Sequence, residues 1–177
     1  MQPWRKKKGL MRQVRFQCVL EPLEREILGN MSSTVAEALI ARAQSSPKDE
    51  LAEMTGLSSG HKEAPEDPAL ARLLPDFERD GDEEFEGDNS LLRSFHENDI
   101  IRAKLSNLQV VNTALGPDGG VEINLSEEEA HAWVAAINDM RLYLLTEGQV
   151  DTSPLDIDTV AEWLAYNQDS LLDVLLG

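Results

Sequence analysis

The side chains able to do chemistry are few and scattered along the chain. Three histidines, His61, His96 and His131, are too far apart for a metal-ligand pair such as His-x-x-x-His. Glu127 and His131 sit one helical turn apart and could reach one ion, but such a pair is more often a solvated contact on a helix face. His96, beside Glu97 and Asp99, is no stronger. There is no nucleophile elbow, P-loop, dinucleotide fingerprint or paired-cysteine motif. Gly119-Gly120 is too short, and too acidic in context, to cradle phosphate. The acidic stretch lacks the ordered ligand spacing of a calcium loop. No catalytic residue, metal or cofactor is therefore assigned.

Cys18 is the only cysteine, so no intrachain disulfide can form. It alternates with Val14, Phe16 and Leu20, the pattern of a half-buried strand. A buried cysteine usually behaves as a small, unreactive hydrophobe, and a redox-sensing thiol is the less favoured reading. Polar residues on faces that should be buried are more informative. Asn98 and Asn112 fall on the stripe with Ile101, Leu105 and Leu115, Arg141 falls between Ile137 and Leu144, and Asn167 between Leu164 and Leu171. Buried polar groups need partners, so Arg141 calls for a carboxylate, with Asp99, Asp139, Glu162 and Asp169 as candidates. Asp99, Arg102, Asn138, Asp139, Arg141 and Asn167 are the candidates for a polar network that registers the helices. The alternative is a small-molecule pocket near Arg141.

Charge is strongly polarised along the chain. Arg5, Lys6, Lys7, Lys8, Arg12 and Arg15 open it without an acid among them, whereas no Lys or Arg follows Arg141. Over 177 residues the net charge is -17, with a pI near 4.4. So acidic a body repels phosphate backbones, and one short basic arm on it would bind DNA weakly and salt-sensitively, even with Trp4 able to stack on a base. A basic start and an acidic end instead favour self-association or an electrostatically guided protein partner. No apolar run is long enough for a membrane helix and no signal peptide is recognisable, so a cytoplasmic location is expected.

These residues need positioning elements. Residues 1–11 read as a flexible basic arm, and 12–177 as a single helical domain. A strand over 12–20 is followed by a helix from Pro22 to about residue 45, with a weak point near Gly29. A short helix fits around 49–55, and another at Ala69 to Leu74. The Asp/Glu-dense stretch at about 76–89 reads as a mobile insertion, in which Phe77 and Phe85 either pin it to the body or face a partner. Asn89 or Ser90 caps a long helix to Leu115, with Leu91, Phe95, Ile101, Leu105 and Leu108 inward. Val121 to Leu125 alternates as a strand to pair with residues 13–20. Ser126 and Glu129 form a capping box for a helix to about Thr146, and a last helix covers about Ile157 to Leu176.

Several segments together resemble one actinobacterial family. They are Met1-Gln2-Pro3-Trp4 with its basic run, Val19-Leu20-Glu21-Pro22, Asp67-Pro68-Ala69-Leu70-Ala71-Arg72-Leu73-Leu74-Pro75-Asp76, Arg102-Ala103-Lys104-Leu105, Trp133 to Arg141 with its Asn138-Asp139-Met140-Arg141, and Glu162-Trp163-Leu164. The family is a domain of unknown function, also named the actinomycete oxidative-stress regulator (AosR) family. The resemblance implies a non-enzymatic regulator linked to transcription, with a sigma factor or a Clp protease-adaptor system as partner. With Cys18 alone, a redox switch would need an intermolecular bond.

The expectation is thus a mainly α (α+β) domain, a helical bundle with a small antiparallel two-stranded β element, forming a homodimer. Its expected function is a cytoplasmic regulatory protein working through protein–protein contacts, with Trp4, Arg5, Lys6, Lys7, Lys8, Phe77 and Phe85 as contact candidates. A DNA-associated regulator using the N-terminal arm and a small-molecule binder at Arg141 are the alternatives.

Overall fold

Three strands and six helices follow one another in the computed structural model, which describes residues 1–9, 13–48, 50–56, 60–77, 85–146 and 150–177. They are β1 (Arg5–Lys8), β2 (Val14–Val19), α1 (Pro22–Gln44), α2 (Glu50–Thr55), α3 (Pro68–Leu73), α4 (Phe85–Leu115), β3 (Glu122–Leu125), α5 (Glu127–Leu145) and α6 (Ile157–Leu176). The architecture is mainly α with a small antiparallel sheet. No described helix is long and apolar enough to cross a membrane.

The sheet departs from the two strands expected. Its order is β1-β2-β3, because Arg5–Lys8 is not a flexible arm but a strand antiparallel to β2, with Arg5 opposite Gln17 and Lys8 opposite Val14. The expected β2–β3 pair is present, with Phe16 opposite Leu125 and Cys18 opposite Ile123. Phe16, Cys18, Ile123 and Leu125 point into the core, so one face of the sheet packs on the helices and the other faces solvent.

The helices follow from local chemistry. Ser126 Oγ accepts from Glu129 N, and Ser126 N donates to Glu129 Oε2 at 2.7 Å, the reciprocal box that starts α5. That backbone donor holds the Glu129 carboxyl below the usual range. Asp67 caps α3 and Asp156 caps α6 through their carboxylates. α1 runs unbroken through Gly29, where an added Cβ would sit 3.8 Å from Leu115, so α1 and α4 approach closely there. Arg25 on α1 donates to the carbonyls of Leu115, Gly116 and Gly120 and so covers the open end of α4.

α4 differs from its expected form at its start. It begins at Phe85 rather than at Asn89 or Ser90, and the Asn89 amide oxygen accepts from Phe77 N at 2.8 Å. That bond ties down both ends of the stretch expected to be a mobile insertion, and residues 78–84 between them lie outside the described residues. Leu91 and Phe95, expected inside, are about half exposed, and Arg93 and Glu97 are buried instead.

Candidate functional site

The largest concentration of buried charge lies where α1, α4 and the end of α3 meet. Arg93 and Glu97 are each only 1% exposed. Glu97 Oε2 accepts from Arg93 at 2.8 Å, and its Oε1 from Arg42 Nε at 2.7 Å. Arg93 also donates to the Leu74 carbonyl at 3.1 Å and to Asp76 at 2.9 Å, with its guanidinium 5.8 Å from the centre of the Phe77 ring. Arg42 reaches on to the Glu63 carbonyl, which anchors the segment after α2. Two cations share the Glu97 carboxylate, and Asp76 and two backbone carbonyls complete a structural clamp beside a cavity of about 120 Å³. The pattern Arg93-x-x-x-Glu97 is the salt-bridge spacing of a helix and was the one sequence signal for it.

A second cluster is uncharged. Asn167 on α6 is fully buried, and its amide oxygen accepts from Trp4 Nε1 at 3.2 Å and from Trp133 Nε1 at 3.1 Å. The two indoles meet edge to face, with centroids 5.6 Å apart. The Trp4 backbone N–H donates to Ser170 Oγ, and the Met1 ammonium pairs with Glu24 at 2.7 Å. Trp4 is therefore a core residue, not a side chain presented to a partner.

The six candidates for a network or pocket do not converge. Asp99 and Arg102 pair with each other on the exposed face of α4. Asn138 is exposed on α5. Asp139 is buried against Lys104 at 2.7 Å, where burial pushes its carboxyl up and the Lys104 bond opposes that shift. Arg141 takes no carboxylate among the described residues: its NH1 donates to the Gln168 amide oxygen at 2.8 Å. Asn167 serves the two tryptophans alone, apart from a contact to the Met1 sulfur. Phe77 is half-buried over Arg93 and against His96, and Phe85 is the first residue of α4, its side chain outside the described ones. Among the described residues, no three His, Cys, Asp or Glu side chains converge where a metal ion could sit.

Cys18 is buried, and burial first, then the nearby Glu24 charge, pushes its thiol from an ordinary 9.0 up to about 12. Because the thiolate is the nucleophile, native protein is expected to leave Cys18 unalkylated by iodoacetamide at pH 8, while denatured protein reacts fully. The native state holds this proton to higher pH than the unfolded chain does. The associated stability is thus complete below about pH 9 and lost as pH rises toward 12. Rapid native alkylation, followed by mass spectrometry, would contradict this placement.

The open charge is on the sheet. All four residues of β1 are exposed, with Arg5 and Lys7 on the solvent face beside Arg15 and Gln17, and Lys6 on the inner face near the Phe16 ring. Arg5, Lys7, Gln17, Val19, Glu122 and Asn124 border a shallow depression of about 280 Å³ on that outer face.

Nearly the whole fold, from β1 into the last turn of α6, corresponds to a recognised sequence unit. A profile described as a domain of unknown function, DUF2017, matches residues 1–175. The chain belongs to this family. Within the DUF2017 family it is 39% identical over 186 residues to the protein named oxidative stress regulator AosR in Mycobacterium tuberculosis H37Rv, an alignment covering 92% of this chain and 83% of the relative. The Mycobacterium bovis protein of the same name matches to the same extent, and a Mycobacterium leprae relative is 35% identical over 182 residues. No solved structure matches this DUF2017 chain.

Proposed function

We propose that this chain is a regulatory protein of the oxidative-stress response that acts by binding other proteins and catalyses no reaction. The observation that carries the reading is membership of a family whose mycobacterial relatives, at 39% identity, are named oxidative stress regulators. The side-chain chemistry agrees with it. Arg42, Arg93, Glu97 and Asn167 spend their buried polar groups on one another and on the tryptophans, and Asp139 pairs with Lys104. The thiol is shielded and held protonated, so the oxidative signal reaches this chain through a partner rather than through Cys18. A sigma factor or a protease adaptor fits the role of that partner. A chain of net charge -17 with a single short basic strand is also a poor DNA binder, because the rest of its charge repels the phosphate backbone.

Two measurements test this. Deleting the gene from its host is expected to blunt the transcriptional response to hydrogen peroxide, and a Cys18→Ser copy is expected to restore it in full. An unaltered response in the deletion strain would refute the regulatory role. Failure of the Cys18→Ser copy would place the signal on the thiol after all. Affinity purification of the tagged chain before and after peroxide is expected to recover a defined protein partner, and recovery of the chain alone would overturn the contact reading.

A further inference from the structure

We infer that the outer edge of β1 is a receptor for an extended, acidic segment of another protein, which joins the sheet as an added strand. This rests on the protein-contact reading above only for the class of occupant. The edge itself follows from the register.

Arg5 faces Gln17, Lys7 faces Arg15, and Gly9 N donates to the Gln13 carbonyl at 2.8 Å. In an antiparallel ladder the residues that bond across alternate with those that do not. The odd-numbered residues of β1 therefore spend their backbone groups on β2, and Trp4, Lys6 and Lys8 turn theirs outward. The Trp4 N–H meets Ser170 on α6, which closes that end of the edge. Among the described residues, nothing bonds the outward N–H groups of Lys6 and Lys8. Two residues of open ladder remain, the geometry that strand addition uses.

Charge selects what can add. A second copy pairing through the same edge would set Arg5–Lys8 against Arg5–Lys8, and like charges directly opposite are unfavourable. A neutral strand gains nothing from the four cations. A strand carrying carboxylates at alternate positions would lie beside Arg5 and Lys7 on the outer face, while its backbone meets Lys6 and Lys8. Nucleic acid fits less well. Phosphates can use the N–H groups and the cations but not the open carbonyls, which an added strand's N–H groups would fill.

The test uses the full chain and a fluorescein-labelled peptide alternating Glu and Val, followed by anisotropy. The controls are a Lys-Val peptide and oligo-dT. Binding is expected for the Glu-Val peptide alone, with slowed amide exchange at Lys6 and Lys8. The Arg5→Glu, Lys7→Glu double variant is expected to weaken it about tenfold or more. Lys8→Pro removes an outward N–H that β2 does not use, so binding is expected to weaken without loss of the fold, checked by circular dichroism. Should Lys8→Pro lower the melting temperature, exchange at Lys6 and Lys8 in the unaltered chain decides alone. Charge-dependent binding without protection of Lys6 and Lys8 would overturn strand addition. Oligo-dT binding as tightly as the peptide, or no preference for Glu-Val over Lys-Val, would overturn the acidic partner. None of these failures affects the response of the deletion strain to peroxide, so the two readings fall separately.

Discussion

Replacing Glu97 with alanine is expected to lower the unfolding free energy by about 3–5 kcal/mol, since it leaves buried cations without their carboxylate. Arg93 would keep only the Leu74 carbonyl and Asp76, which is 44% exposed and screened. Arg42, whose side chain is 11% exposed, would lose both of its bonds to Glu97 and keep the Glu63 carbonyl. With total stabilities of about 5–15 kcal/mol, a loss of this size leaves a chain that is marginal at ordinary temperature. Urea titration should show a midpoint shifted far down with the slope unchanged. The replacement Glu97→Gln keeps the shape and loses the charge, and should fall between. Replacing Arg42, Arg93 and Glu97 together with methionine should recover much of the loss, because no buried charge is then left unpaired. A Glu97→Ala shift below about 1 kcal/mol would mean that water solvates the clamp as it does a surface pair.

Asn167→Leu is the second large effect. The substitution keeps the volume and apolar contacts between α5 and α6 but removes the acceptor of two indole donors. Each buried donor left unmade costs about 1–3 kcal/mol. The loss should be visible twice, as a lower denaturation midpoint and as a changed near-ultraviolet dichroism from Trp4 and Trp133. Because Trp4 precedes β1 directly, amide exchange across Arg5–Lys8 should quicken more than exchange in α5. Ser170→Ala removes only the bond to the Trp4 backbone and should act more weakly, by about 0.5–1.5 kcal/mol. Unchanged stability and exchange in Asn167→Leu would show that the indoles find other acceptors.

Where a signal was local, it was legible in the residues. The Ser126–Glu129 box, the helix start at Pro22, the last helix from Ile157 and the alternation that pairs β2 with β3 each arise from groups a few residues apart, or from a period that one buried face imposes. β1 was hidden for the converse reason. As an exposed edge strand it buries neither face, so it shows no alternation, and four successive cations look the same as a solvated tail. What holds it is Trp4, whose partners lie 163 and 166 positions away in Asn167 and Ser170.

The register of α4 shows the same limit. Counting back from Ile101 along an ideal helix, Leu91 and Arg93 lie about 80° to either side of the stripe, so spacing alone favours neither. Hydrophobicity chose Leu91, and the structure buries Arg93, because the Leu74 carbonyl, Asp76 and Arg42 are waiting on that side. Asn167 was recognised as a buried polar residue, but its two indole donors were not, and Arg141 received a glutamine where a carboxylate was expected.

By itself, then, the sequence determined the starts of α1, α5 and α6, the two central strands, the mainly α class and the polarity of charge, all short-range or compositional properties. Only the tertiary structure decided which face of α4 turns inward, that the basic start is an edge strand, and which groups partner Asn167 and Arg141. Each of those depends on groups distant in the chain, and a buried charge or donor is tolerable only where folding brings its partner to it.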